Sequence, residues 1–113
     1  MLIEERRNHM FVPSYADPGK DATVVWGATD FRFENRRNYP IKIEATVNDG
    51  IAKIKIYGLK TDEEYDRYNL SIGTKKVKST DTTLVVESYR LYKDENGNVV
   101  RQDKLYTDTY KKN

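Results

Sequence analysis

The chain carries one histidine and no cysteine, and these two facts bound its chemistry. His9 is the only side chain that ordinarily exchanges a proton near neutral pH. An imidazole serves as a base when a carboxylate fixes its ring and tautomer. His9 is followed by a turn and then by a strand carrying Asp30. That order can set the two side by side as base and orienter. The competing role for Asp30 is to cap the turn at Gly27-Ala28-Thr29. Asp21 is a second candidate acid, although an Asp just after a Pro-Gly turn commonly bonds local backbone. Without cysteine there is no thiol nucleophile, no disulfide and no thiolate metal site. One histidine and scattered acids make no metal ligand set, and no Gly-rich phosphate loop precedes a helix. No metal or cofactor is expected.

Two further groups could bind rather than react. Tyr15, Trp26 and Tyr39 could form an aromatic platform for a glycan, with nearby carboxylates on its hydroxyls. A Trp before Gly at a strand end serves as readily in a core. Lys75, Lys76 and Lys78, with Arg36 and Arg37, could face anionic wall polymers or a membrane surface. Lysines also guard a solvated edge strand against unwanted pairing. The net charge of +2, with both signs mixed, gives no argument for nucleic acid. No apolar run is long enough to span a membrane.

These residues need a scaffold, and the patterning makes it β. Leu, Ile, Val and Phe form roughly a fifth of the chain, just above the level where disorder is the default. The core must be thin, and the nine tyrosines are expected to fill it. Asp17-Pro18-Gly19 is a turn. Ala22 to Trp26 reads as a short buried strand ended by Gly27, and Asp30 to Glu34 alternates. Asp49-Gly50 sits at the centre of a long hairpin that pairs Ile43 with Ile56, Glu44 with Lys55 and Val47 with Ala52. Thr61 with Glu64 could cap one helical turn, or the stretch is a polar loop. Tyr68 to Ile72 is a strand that could bend at Gly73. Asn96-Gly97 turns a second long hairpin, with Arg90 opposite Asp103 and Tyr92 opposite Arg101. The expected class is all-β: an antiparallel sandwich or partly open barrel of roughly seven to eight short strands.

Several motifs then fall in a specific order. They are Glu5-Arg6-Arg7-Asn8-His9, Pro18-Gly19-Lys20-Asp21-Ala22-Thr23-Val24, Trp26-Gly27, Asp30-Phe31-Arg32-Phe33-Glu34-Asn35 and Tyr39-Pro40-Ile41. Together they resemble the VanW-like family of bacterial proteins. Ile54 to Gly58, Glu87-Ser88-Tyr89-Arg90 and Thr107 to Lys111 are similar to that family's C-terminal part. The resemblance implies an exported or anchored protein of the Gram-positive envelope, associated with vancomycin-resistance clusters. It implies peptidoglycan or other wall polymers as partner. A chain without cysteine suits that surface and the cytosol alike. The family's upstream half has a Gly-rich stretch running into Cys-Gln. The chain therefore reads as a C-terminal fragment, one β domain over residues 1–113, with any signal or anchor upstream.

Two function classes follow from the resemblance. The first is a non-catalytic β domain that binds wall material or forms the structural half of a larger unit. The second is the C-terminal half of a cysteine-dependent transglutaminase-like or peptidase-like enzyme acting on wall peptide. In that class a cysteine upstream is the nucleophile, His9 the base and Asp30 the orienter. A plain protein-interaction module is a third reading. An open sheet edge would also permit pairing between copies.

Overall fold

A computed structural model describes residues 2–62 and 67–113. Among the described residues there are seven strands and no α-helix. They are β1 (Leu2–Glu5), β2 (Arg32–Glu34), β3 (Ile41–Asn48), β4 (Ile51–Gly58), β5 (Asn69–Ser79), β6 (Thr83–Lys93) and β7 (Val99–Lys111). They form three open antiparallel sheets, β1-β2, β3-β4 and β5-β6-β7. None closes into a barrel. The turn read from Thr61 with Glu64 falls outside the described residues.

The β3–β4 hairpin has the expected register, with Ile43 opposite Ile56, Glu44 opposite Lys55 and Val47 opposite Ala52. Its turn takes positive φ at both Asp49 and Gly50, the two-residue geometry whose twist matches that of the flanking strands. The hairpin packs on none of the other strands, so its apolar face is open, with Val47 78% exposed.

The second hairpin pairs Arg90 with Asp103 and Tyr92 with Arg101, as the pattern predicts. Its tip departs from a plain two-residue turn. A bulge between Tyr92 and Lys93 sets Lys93 opposite Val99. Asp94 Oδ1 accepts from the backbone N–H groups of both Asn96 and Asn98, an Asx arrangement that stabilises the wider loop. β5 is an edge strand bearing the exposed Lys75, Lys76 and Lys78. It runs straight through Gly73 rather than bending there, and its bulge lies between Lys76 and Lys78. Leu91 packs closely over Gly73: a Cβ there would lie 2.8 Å from Leu91 Cδ1.

The core is small. Leu84 and Val86 on β6 and Tyr110 on β7 form its apolar cluster, and Tyr92 is buried apart from them. Alternation along β6 puts Leu84, Val86 and Ser88 on one face. Onto that face folds the irregular stretch from Arg6 to Val25. The strand expected over Ala22 to Trp26 does not form. Val25 instead makes a single bridge to Thr29, and Val24, Val25 and Trp26 are exposed. Gly27 takes positive φ and turns the chain back before a ladder can extend.

Gly19 is the point where this stretch meets the sheet. It is buried, with φ of +89°, and a Cβ would lie 2.5 Å from Ser88 Oγ. Gly97 also has positive φ, but open space surrounds it. Replacing Gly19 with Ala should therefore add overpacking to backbone strain and cost about 2 to 5 kcal/mol. Gly97→Ala should carry the strain alone, about 1 kcal/mol. Urea unfolding of the two variants measures the difference.

Candidate functional site

The site is assembled by a short irregular segment, Arg6 to Met10, laid between the Gly19–Val25 stretch and the end of β7. Backbone bonds fix its course. Arg7 C=O accepts from Thr23 N–H at 2.7 Å and Met10 C=O accepts from Lys111 N–H at 2.8 Å. The Asn8 side-chain amide donates to Thr109 C=O on β7 at 3.1 Å. On the other side, three side chains of the sheet seize Gly19. Its N–H donates to Tyr110 Oη at 2.7 Å, and its C=O accepts from Ser88 Oγ at 3.1 Å and Tyr106 Oη at 2.9 Å.

Asp21 is the centre. It is 2% exposed, and its carboxylate is bonded at both oxygens. Oδ1 accepts from the Tyr110 hydroxyl. Oδ2 accepts from the His9 backbone N–H at 2.8 Å and meets His9 Nδ1 at 2.9 Å. Arg6 lies 3.7 Å from Oδ1, but its strong pairing is elsewhere. It holds Asp108 through two bonds of 2.8 and 2.7 Å, stacks 3.8 Å from the Tyr106 ring centroid, and donates from Nε to Asp21 C=O at 2.9 Å.

Burial alone would push the Asp21 carboxyl up. Hydrogen bonds from the Tyr110 hydroxyl and from the backbone and ring of His9 outweigh it and hold the carboxyl below its ordinary value. Burial pushes the Tyr110 hydroxyl up, and its bond to Asp21 adds to the shift. Asp21 is thus ionised and Tyr110 neutral over the physiological range.

An ionised carboxylate only accepts, so His9 Nδ1 is the donor in the pair. The second ring nitrogen, Nε2, then carries the lone pair. Among the described residues it meets no hydrogen-bond partner. The His9 side chain is 36% exposed, and Tyr15 stands edge-on to it at 5.6 Å. An imidazole with one nitrogen held by a buried acid and the other open is arranged to take a proton.

Asp30 is not the partner of His9. It is exposed, and its backbone N–H donates to Glu5 Oε1 at 3.4 Å. The carboxylate at the imidazole belongs to Asp21, which also bonds backbone, both at His9 and at its own residue. The three aromatic residues are dispersed. Tyr15 is at His9, where its hydroxyl donates to Ala22 C=O at 3.2 Å. Trp26 is 100% exposed on the Val25–Thr29 turn. Tyr39 lies half-exposed beside Asn35, which bonds its carbonyl at 2.8 Å. No ring contact joins them. Among the described residues, no group of three or more His, Cys, Asp or Glu residues could hold a metal ion. A cleft of about 650 Å³ between β1 and β7 is bounded by Arg6 and Asp108 but lined by neither His9 nor Asp21.

Arg6, Asp108, Tyr110 and Gly19 are the site residues that sequence reasoning passed over. One signal was available. Asp108 and Tyr110 share a face of β7, and an acid on the face of a buried aromatic needs a partner from elsewhere.

A family model described as VanW like protein matches residues 1–57. An uncharacterised protein of Bacillus subtilis strain 168, YoaR, is 46% identical over 57 residues, which are 50% of this chain and 19% of YoaR. The chain thus aligns with about a fifth of that relative. The likeness read in Glu87-Ser88-Tyr89-Arg90 and in Thr107 to Lys111 lies beyond the matched stretch. No solved structure matches the chain.

The Asp21 bonds make acid stability testable. The folded-state value lies below the ordinary 3.8, so the unfolded chain binds the proton more readily. The resulting stabilisation is complete above about pH 4 and is lost as pH falls through the folded value. Asp21→Asn should lose about 1 to 3 kcal/mol at neutral pH, because Tyr110 and His9 lose a charged acceptor in a buried place. Its stability should also fall less steeply below pH 4 than that of the parent, as chemical denaturation across pH would show.

Proposed function

Because the chain belongs to the VanW-like family, we propose that it works in the bacterial cell envelope as the part of a larger protein that holds an oriented histidine base towards wall peptide. One observation carries this reading: a buried, ionised Asp21 grips both the backbone N–H and Nδ1 of His9. Such a grip fixes ring rotation and tautomer together. On this reading the chain alone lacks the nucleophile, since it has no cysteine. The nucleophile is supplied by the rest of the protein, from the Cys-Gln segment that the family resemblance implies. Asp21 takes the orienting role for which the order of residues also offered Asp30.

The chemistry is acyl transfer. Nε2 takes the thiol proton, and the thiolate adds to a peptide carbonyl. The proton then passes from Nε2 to the departing amine as the C–N bond breaks, leaving a thioester. Water or an acceptor amine attacks the thioester, giving its proton to Nε2, and the thiol leaves with it. Asp21 stays ionised throughout.

A second reading, contact with peptidoglycan through aromatic side chains, is favoured by the wholly exposed Trp26. Stacking on a sugar face needs an indole free of the core. The two readings are compatible, one supplying chemistry and the other attachment.

The test uses a protein that carries this chain together with its upstream cysteine. Alkylation of that thiol by iodoacetamide should slow about a hundredfold in His9→Asn and clearly in Asp21→Asn. Asp30→Asn should stay within about twofold of the parent. Equal rates in the parent and His9→Asn would end the base reading. For the attachment reading, Trp26→Ala should reduce co-sedimentation with purified peptidoglycan. Unchanged pelleting would remove it.

A further inference from the structure

The acid of the His9–Asp21 pair lies in the family-matched stretch, but the side chains that keep it in place do not. Asp108 and Tyr110 come from β7, beyond residue 57. Their arrangement has a feature that simple anchoring does not require. Arg6 is a full cation 3.7 Å from Asp21 Oδ1, the oxygen His9 does not use, and close enough to draw the carboxylate away from His9. It does not do so, for two reasons visible in the geometry. Asp108 satisfies both ends of its guanidinium fork, at 2.8 and 2.7 Å, the bidentate geometry that is the strongest available to it. The Tyr110 hydroxyl already occupies Oδ1, and it is itself held by Gly19 N–H at 2.7 Å.

We propose that Asp108 and Tyr110 are positioning residues that keep Arg6 from drawing the Asp21 carboxylate to itself and so reserve its second oxygen for the His9 ring. This rests on the base reading above and adds to it the device that makes the pair dependable. The carboxylate turns as one rigid group, so a pull on Oδ1 also moves Oδ2. Oδ2 serves His9. If Arg6 drew the carboxylate towards itself, the His9 Nδ1–H would lose its acceptor and the imidazole would be free to exchange tautomers.

The chain's single histidine makes this directly observable. Long-range proton–nitrogen NMR of the chain reads which ring nitrogen carries the hydrogen, under mildly alkaline conditions where an imidazole is ordinarily neutral. The parent should show Nδ1–H. Asp108→Asn should lose that signature, because Arg6 is released towards Asp21. Tyr110→Phe should lose it too, because Oδ1 is vacated. Arg6→Met and the double variant R6M/D108N should both keep it, since no cation remains to compete. The two partners of one ion pair thus give opposite results, which a merely structural bond would not. Amide dispersion shows that each variant is folded, and Tyr110→Phe carries the test if Asp108→Asn does not fold. Folded D108N and Y110F that both retain Nδ1–H would overturn the positioning role and leave the base reading standing. So would an Arg6→Met that loses the signature. A parent without Nδ1–H would overturn both.

Discussion

A carboxylate shut away from water must be compensated or it will not stay charged, and the Asp21 side chain is wholly shielded. Its compensation comes from two separate parts of the chain, the segment Arg6 to Met10 and β7. His9 supplies a backbone and a ring donor, Tyr110 a hydroxyl, and Arg6 a nearby positive charge. Removing His9 or Tyr110 leaves the Asp21 charge short of a donor in a dry place. The irregular stretch up to Val25 has almost no apolar core of its own. It is held to the sheet by these polar bonds and by the grip of Ser88, Tyr106 and Tyr110 on Gly19.

This explains why the stretch can be irregular and still ordered. Pleated strands satisfy their own backbone groups, whereas a loop must find partners elsewhere. Here the partners are side chains projecting from β6 and β7. Ser88, Asp108 and Tyr110 are buried at alternate positions of those strands. The sheet therefore acts less as a hydrophobic platform than as a row of hydrogen-bonding groups, with Leu84 and Val86 filling the space beneath. Tyrosine suits both jobs, because its ring buries and its hydroxyl bonds.

What could be read from the sequence follows from the range of the interactions. Asp49-Gly50 with flanking alternation fixes a hairpin locally, and the register of β3–β4 was legible to the residue. Arg90 against Asp103 was legible for the same reason. Trp26 illustrates the opposite case. Val24, Val25 and Trp26 have strand-forming side chains, but a strand needs a partner, and Gly27 turns the chain away before one is reached. The choice between Asp21 and Asp30 was hidden for a stronger reason. The bond between Tyr110 and Asp21 spans 89 residues, and that between Arg6 and Asp108 spans 102. No local pattern reports such pairs. The sheet behind Asp21 selects it.

That selection bears on how the proposed base differs from a structural histidine. A histidine that merely fills space can satisfy Nδ1 with any nearby carbonyl. At His9 the same carboxylate oxygen receives both the residue's own backbone N–H and its ring. The main chain and the imidazole are thereby referred to one fixed point, and that point is referred in turn to β7 through Tyr110. Movement of the surrounding loop cannot rotate the ring without also breaking a buried, charged hydrogen bond. The open nitrogen consequently has a direction set by the sheet rather than by the loop that carries it. A proton-transfer site needs that property more than it needs rigidity in the loop itself.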